Sequence, residues 1–327
     1  MGVLKVGIVG CGFFGNYHLD NIMKLDDVKV VAFASSNKER LEKTGAKVSG
    51  ARLYIDYRSM FDAEKDLDAV FVVVPPDSHG DVEILAAQKG IHIYTEKPMA
   101  LSLEKAFEVR AAIGKSKVIS AVGFQERYRD ITDKIKQHLA VARTGLVYGC
   151  WLGNLPDVDW WRRKERSGGQ VVEQSIHVFD LLRNFFGEAR TVFCTAFTGI
   201  IQDLDGYNIE DGSSTTVVFR NNVIATVHTG CFFNETAPHL VKIQIACRNS
   251  VVDYKFGREV SFIQNDHVEK FISSENSHMK SVKAFFQAIR SDDPGLVRSN
   301  YADAVETLRI TFAANESMHS GQPVALA

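Results

Sequence analysis

The sequence predicts an α/β fold: an N-terminal doubly wound parallel sheet of Rossmann type, then an α+β domain with an open, largely antiparallel sheet. Three observations predict it. Short apolar strands alternate with amphipathic helices as far as residue 122, the pattern of βαβ units. A glycine-rich turn closes the first strand. Beyond residue 186 strands follow one another directly, and two helices end the chain. The chain has 327 residues, more than one core usually holds, so two domains are expected.

Taken in order, Val3–Val9 is a β-branched strand running into glycines, and Gly15–Leu25 has helical spacing through Tyr17, Ile22 and Leu25. Val28–Ala34 is a second strand and Lys38–Thr44 a helix stopped by Gly45. A short strand is expected near Tyr54. Ala69–Val74 is an apolar strand halted by Pro75-Pro76. Ser78–Lys89, Ile91–Tyr94, Ser102–Ile113 and Val118–Val122 complete the helix–strand alternation. Parallel connections of this kind are right-handed, which winds the sheet on both faces. The first domain is therefore placed at 1–122 and the second at 123–327, the last helix being a candidate to pack back on the first.

In the second domain Ile131–Ala142 reads as a helix, Leu146–Leu152 as a strand and Val171–Phe186 as one continuous helix ended by Gly187. The strands Thr191–Thr198, Ser214–Phe219, Val223–Cys231, Leu240–Cys247 and Val251–Tyr254 follow. Asn221-Asn222 and Arg248-Asn249-Ser250 supply turns. Ser277–Ile289 and Tyr301–His319 are the closing helices. Thr215-Thr216-Val217-Val218-Phe219 alternates poorly, so neither face of the sheet is plainly polar. Pairing of such sheets in a homodimer or homotetramer would cover the second face.

Composition narrows the function classes. Apolar residues make up 45%, charged residues 24%, and the formal net charge is −2, which argues against a nucleic-acid binder. The five cysteines are odd in number and widely spaced, with no C-x-x-C pair. That suits free thiols in a reducing compartment. The start of the chain is no signal peptide and no stretch of 18 apolar residues occurs, so a cytoplasmic protein without a membrane span is expected. No His/Cys/Asp cluster has metal-ligand spacing.

Gly10-Cys11-Gly12-Phe13-Phe14-Gly15 fits G-x-G-x-x-G between a strand and a helix. Gly10 makes the tight turn, Gly12 lets the backbone approach a pyrophosphate, and Gly15 lets helix and strand pack closely. The backbone at Phe13 and Phe14 opens the helix, whose N-terminus offers N–H groups to the anion. The acid usually found about 20 residues on, which would hold a ribose 2′-hydroxyl, is absent. Ser35 and Ser36 stand there, with Lys38 and Arg40 nearby, a set able to bind a 2′-phosphate. NADP is thus favoured over NAD.

Pro75-Pro76-Asp77-Ser78-His79 and Glu96-Lys97-Pro98 each lie past the end of a parallel strand, where ligands bind in open α/β sheets. With the glycine turn, with Gly168-Gly169-Gln170-Val171-Val172-Glu173-Gln174-Ser175-Ile176-His177, and with Ala313-Ala314-Asn315-Glu316-Ser317, these segments resemble the Gfo/Idh/MocA family almost end to end. The resemblance implies hydride transfer to or from a sugar or cyclitol alcohol. It adds Pro75, Pro76, His79, Glu96 and Lys97 to the cofactor-side residues. It also implies that Lys97 is an active-site lysine and His177 the acid–base residue. The family pattern has Asp-x-x-x-His where this chain has Glu173-x-x-x-His177, so the role of Glu173 is open.

Those residue types suit the chemistry. Alcohol oxidation releases a proton, which an imidazole can accept near neutral pH. A carboxylate orients the ring, and an ammonium stabilises a developing alkoxide. Four residues apart on a helix puts Glu173 and His177 on one face, with Asp180 a turn further. Arg127 and Tyr128 are candidate substrate contacts. So are Trp160 and Trp161, either of which could stack on a sugar ring or belong to core or interface, and Asn208 ranks below them. The run Arg162-Arg163-Lys164 with Arg166 is a solvated loop or an anion contact. Two other readings stand beside a polyol dehydrogenase: glycoside hydrolysis through transient oxidation on a retained nicotinamide, and a non-catalytic nucleotide sensor.

Overall fold

The computed structural model describes residues 2–202 and 204–326. They form two compact units, the first from residues 2–123 and 278–305, the second from 124–202, 204–277 and 306–326.

The first unit runs β1 (Leu4–Val9), α1 (Phe13–Ile22), β2 (Val28–Ala34), α2 (Lys38–Gly45), β3 (Arg52–Tyr54), α3 (Tyr57–Ala63), β4 (Ala69–Val72), α4 (Asp81–Gln88), β5 (His92–Thr95), α5 (Leu103–Ser116) and β6 (Ser120–Val122). The six strands are ordered β3-β2-β1-β4-β5-β6 and every pair is parallel. That is the doubly wound order, and it puts the carboxyl ends of β1, β4 and β5 side by side. Helix α3 was not expected. Asp56 caps it, accepting from the Ser59 N–H.

The second unit holds α6 (Asp130–Leu139), β7 (Thr144–Asn154), α7 (Lys164–Ser167), α8 (Gln170–Glu173), α9 (Ile176–Phe186), β8 (Ala189–Phe197), β9 (Gly212–Phe219), β10 (Ile224–Phe233), β11 (Leu240–Cys247), β12 (Val251–Lys255), β13 (Glu259–Gln264) and β14 (His267–Ile272). Then come α10 (Ser277–Ser291), α11 (Tyr301–Ser320) and β15 (Val324–Ala325). Nine strands make one sheet, β14-β13-β12-β11-β7-β10-β9-β8-β15, antiparallel except for the β7–β10 pair. The hairpin β13–β14 and the edge strand β15 were not expected.

Two expectations change. Most of α10 belongs to the first unit, not to the C-terminal domain as the 123–327 boundary had it. Its Phe285 and Phe286 join the aromatic cluster around Phe71 and Tyr94. Ser281 Oγ lies 2.7 Å from the Tyr94 hydroxyl, and Ser299 exchanges two hydrogen bonds with Val122. The other change is in the predicted helix Val171–Phe186, which is broken at Gln174–Ser175. The Ser175 hydroxyl donates to the Gln170 and Val171 carbonyls. A serine that takes helix carbonyls in this way competes with the backbone ladder. Helix α9 resumes beyond it with Val178, Phe179, Leu181 and Leu182 buried in the second core.

Candidate active-site residues in each unit

In the first unit sterics dictate the glycine turn. Gly10 has φ +105°, and a Cβ there would meet the Val73 carbonyl oxygen at 2.0 Å. A Cβ on Gly15 would meet the Gly10 carbonyl oxygen at 2.0 Å. At Gly12 nothing lies within 4 Å of where a Cβ would be, and no side chain caps α1 there. The turn therefore leaves an open approach to bare helix N–H groups, which fits the pyrophosphate of a dinucleotide. Asn16 stiffens it by donating to the Gly12 carbonyl at 2.9 Å and the Cys11 carbonyl at 3.3 Å. Burial pushes the Cys11 thiol up to about 11, against opposing hydrogen bonds with Thr44 and Ser35. Cys11 is thus a core residue. Phe13 is 80% exposed and Phe14 is also on the surface.

Ser35 follows β2 beside the turn, where the Gly10 N–H donates to the Ala34 carbonyl. Ser36, Lys38 and Arg40 are exposed. Asn37 caps α2 by accepting from the Arg40 N–H at 2.9 Å. This corner of the sheet presents hydroxyls and cations, and the nearest acid in sequence is the exposed Glu39.

Two buried histidine–carboxylate pairs stand behind the other loops. His79 Nδ1 lies 2.6 Å from Glu83 Oε1 and its Nε2 lies 3.1 Å from the Val74 carbonyl. Thr95 donates to the same Glu83 oxygen. Both ring nitrogens are therefore engaged within the protein, and the side chain has no exposed surface. His79, a structural or cofactor-side candidate in the sequence, braces the Pro75-Pro76 turn. Likewise Glu96, expected as a cofactor contact, points into the protein: His18 Nε2 is 2.7 Å from Glu96 Oε1. A Cβ on Gly123 would stand 2.5 Å from the other Glu96 oxygen, so a larger residue at 123 would have to displace that carboxylate. For Glu96 burial works to raise the carboxyl pKa, but the hydrogen bond and charge of His18, with His278 and Lys97, outweigh it and hold the net value low. For Glu83 burial again opposes ionisation, and His79, Thr95 and the Gly80 N–H overcome it. Lys97, next to Glu96, is half-buried among buried neighbours. It follows the carboxyl end of β5, and its peptide bond to Pro98 is cis.

In the second unit His177 opens α9. Trp151, on β7, stacks on its ring at 5.8 Å and 20°. Phe124 meets the ring edge-on at 6.0 Å. The carboxylates on either side are each claimed by another element. Glu173 Oε2 accepts from the Trp161 indole N–H at 2.7 Å. Asp180 takes a bidentate pair from Arg127 and a hydrogen bond from the Thr307 hydroxyl at 3.0 Å. Three of the candidate substrate contacts fall on buried side chains. Trp161 is buried by apolar packing with Ile209 and Cys231, and its indole N–H is satisfied by the Glu173 acceptor. Arg127 is buried and spent on Asp180, since a buried guanidinium demands a counter-charge. Tyr128 is buried beside it. Trp160 is partly buried against the Trp161 cluster. Asn208 accepts from the Lys164 N–H and donates to Glu165, so it shapes the loop ahead of α8. The tryptophan beside His177 is Trp151, which sequence reasoning passed over. Its place on the strand Leu146–Leu152 was the available signal.

The chain matches the family model described as an oxidoreductase family with an NAD-binding Rossmann fold over residues 4–124. It matches that of the GFO/IDH/MocA C-terminal domain over residues 143–250. It is 25% identical to an uncharacterised oxidoreductase, YrbE, of Bacillus subtilis over 99% of this chain and 96% of that protein. It is 21% identical to the myo-inositol 2-dehydrogenase of Thermotoga maritima over 99% and 98%. A levoglucosan dehydrogenase solved with NADH and L-sorbose shares the fold at a TM-score of 0.87, with 20% identity over the whole of both chains. The glycine turn, the Lys97 loop and the His177 helix thus stand in a chain that belongs to the Gfo/Idh/MocA family of oxidoreductases.

Proposed function

We propose that the protein moves a hydride between a nicotinamide dinucleotide and a secondary alcohol or ketone of a sugar or cyclitol. Lys97 and His177 serve the same reaction. Bound nicotinamide supplies the hydride acceptor or donor. The chain's own residues handle charge and proton. The His177 imidazole accepts the hydroxyl proton in the oxidative direction and returns it in reduction. The Lys97 ammonium stabilises the oxygen as negative charge develops on it. Trp151 and Phe124 hold the ring of His177, and Arg127 fixes Asp180 one turn away. Glu173 stands in place of the family's Asp and anchors the start of the catalytic helix to Trp161.

The observation that carries this reading is the half-buried Lys97, set past β5 on the same sheet edge as the open Gly12 turn and held there by the buried Glu96–His18 pair. His177→Ala is expected to lose at least about a hundredfold in kcat. Lys97→Ala should lose a comparable factor, and the double variant little more than either alone, because groups acting in one step are not additive. Additive losses would separate the two residues. Turnover followed at 340 nm distinguishes net oxidation from glycoside hydrolysis on a retained nicotinamide, in which absorbance stays flat.

We assign NADP as the preferred dinucleotide from Ser35, Ser36, Lys38 and Arg40; a lower KM for NAD would overturn that. We also propose a homodimer or homotetramer built on the open face of the nine-stranded sheet. Leu146, Ile224, Phe193 and Leu240 share that face by register and all are exposed, Leu146 to 61%. Such apolar surface marks an interface, and light scattering showing only monomer at micromolar concentration would refute it.

A further inference from the structure

We propose that the second unit carries a separate binding site for a small polyanion, a molecule with two or more phosphate or carboxylate oxygens. The site is a cavity of about 460 Å³ between the end of α6 and the β11–β12 turn, a size typical of small-ligand sites. Arg143, Arg248, His138, Asn249, Ser250 and Gln264 supply its polar lining, and no acidic residue lines it.

Its charge is unbalanced. The Arg248 N–H donates to the Arg143 carbonyl at 2.9 Å, which locks the two residues beside each other at the same end of neighbouring strands. Neither guanidinium has an ion-pair, hydrogen-bond or ring partner among the described residues. Like charges held side by side repel, and a bound anion removes that repulsion while giving each planar fork a bidentate partner. His138 and Ser250, joined at 2.8 Å, and the Asn249 amide add donors on the same wall. The carboxyl end of α6 also meets the cavity and works against an anion. Its partial charge is about half a unit, against two full positive charges.

The cavity is distinct from the His177 environment. It lies at the Thr144 end of β7, whereas Trp151 stacks on His177 seven residues along, roughly 23 Å away at strand rise. Recognition here does not depend on the proposed reaction.

The test uses full-length protein saturated with dinucleotide, so that the glycine turn is already filled. Pyrophosphate and citrate are titrated by calorimetry at constant ionic strength, with sodium chloride as the control. Saturable one-to-one binding of either is expected, weakened at least tenfold in Arg143→Ser/Arg248→Ser and unchanged in His177→Ala. Preference for pyrophosphate assigns the site to phosphate esters, and preference for citrate to polycarboxylates. Both arginines are exposed, so the double variant folds; an unchanged melting temperature without ligand checks this. Heats no larger than the chloride control, or binding undiminished in the arginine variant, overturn the proposal.

Discussion

The glycine turn after β1 and the polar stripe across α8 and α9 do comparable work by different means. In the first unit the candidate site is made of backbone. Gly10 and Gly15 are required because a Cβ would strike a carbonyl oxygen, and Gly12 matters because nothing stands over it. In the second unit the candidate site rests on buried side-chain pairings: Trp161 with Glu173, and Arg127 and Thr307 with Asp180. A backbone site tolerates almost no substitution at its tight points, yet needs no distant partner. A paired site tolerates neighbours, yet fails when one remote partner is lost.

The largest expected effect tests the backbone half. Gly10→Ala places a methyl 2.0 Å from the Val73 oxygen at a φ of +105° and should cost more than about 4 kcal/mol, enough to leave little folded enzyme. Gly12→Ala meets nothing in the protein and should change stability by less than about 1 kcal/mol. Its methyl occupies the pyrophosphate approach, so dinucleotide affinity should drop at least tenfold. Equal loss of stability in both variants, read by urea denaturation, would collapse the distinction.

On the paired half, Arg127→Ala should cost about 3–5 kcal/mol, since it strands a buried carboxylate. Arg127→Ala with Asp180→Asn should recover part of that loss. A change below about 1 kcal/mol in the single variant would mean that Arg127 is not spent on Asp180.

The smallest effect concerns pH. Glu83 and Glu96 sit below their ordinary value of 4.5 in the folded protein. Carboxylates of this kind contribute stability that is complete above the unfolded value and lost as pH falls through the folded one. Melting temperature should therefore fall as pH drops below about 4.5, and less steeply in Glu96→Gln. Parallel curves for the two proteins would remove Glu96 from the account.

How far the sequence reached follows the same division. The parallel sheet and the glycine turn were legible because hydrophobic period and φ restrictions act between near neighbours in the chain, and Lys97 and His177 stood out as candidates through short motifs. Arg127, Tyr128, Trp160 and Trp161 were legible only as residue types. Whether such a side chain faces substrate or a buried partner depends on groups as distant as Asp180 from Arg127, or Thr307 from Asp180.

By itself the sequence determined the two architectures and the nucleotide turn, because those depend on local sterics and periodicity, and its short motifs carried the resemblance that nominates Lys97 and His177. Only the tertiary structure decided that Glu173 belongs to Trp161, that Asp180 holds Arg127, that His79 and Glu96 brace their loops, and that Trp151 attends His177. A buried polar group takes its partner from whatever packing brings within hydrogen-bond reach, and no local pattern in the chain encodes that distance.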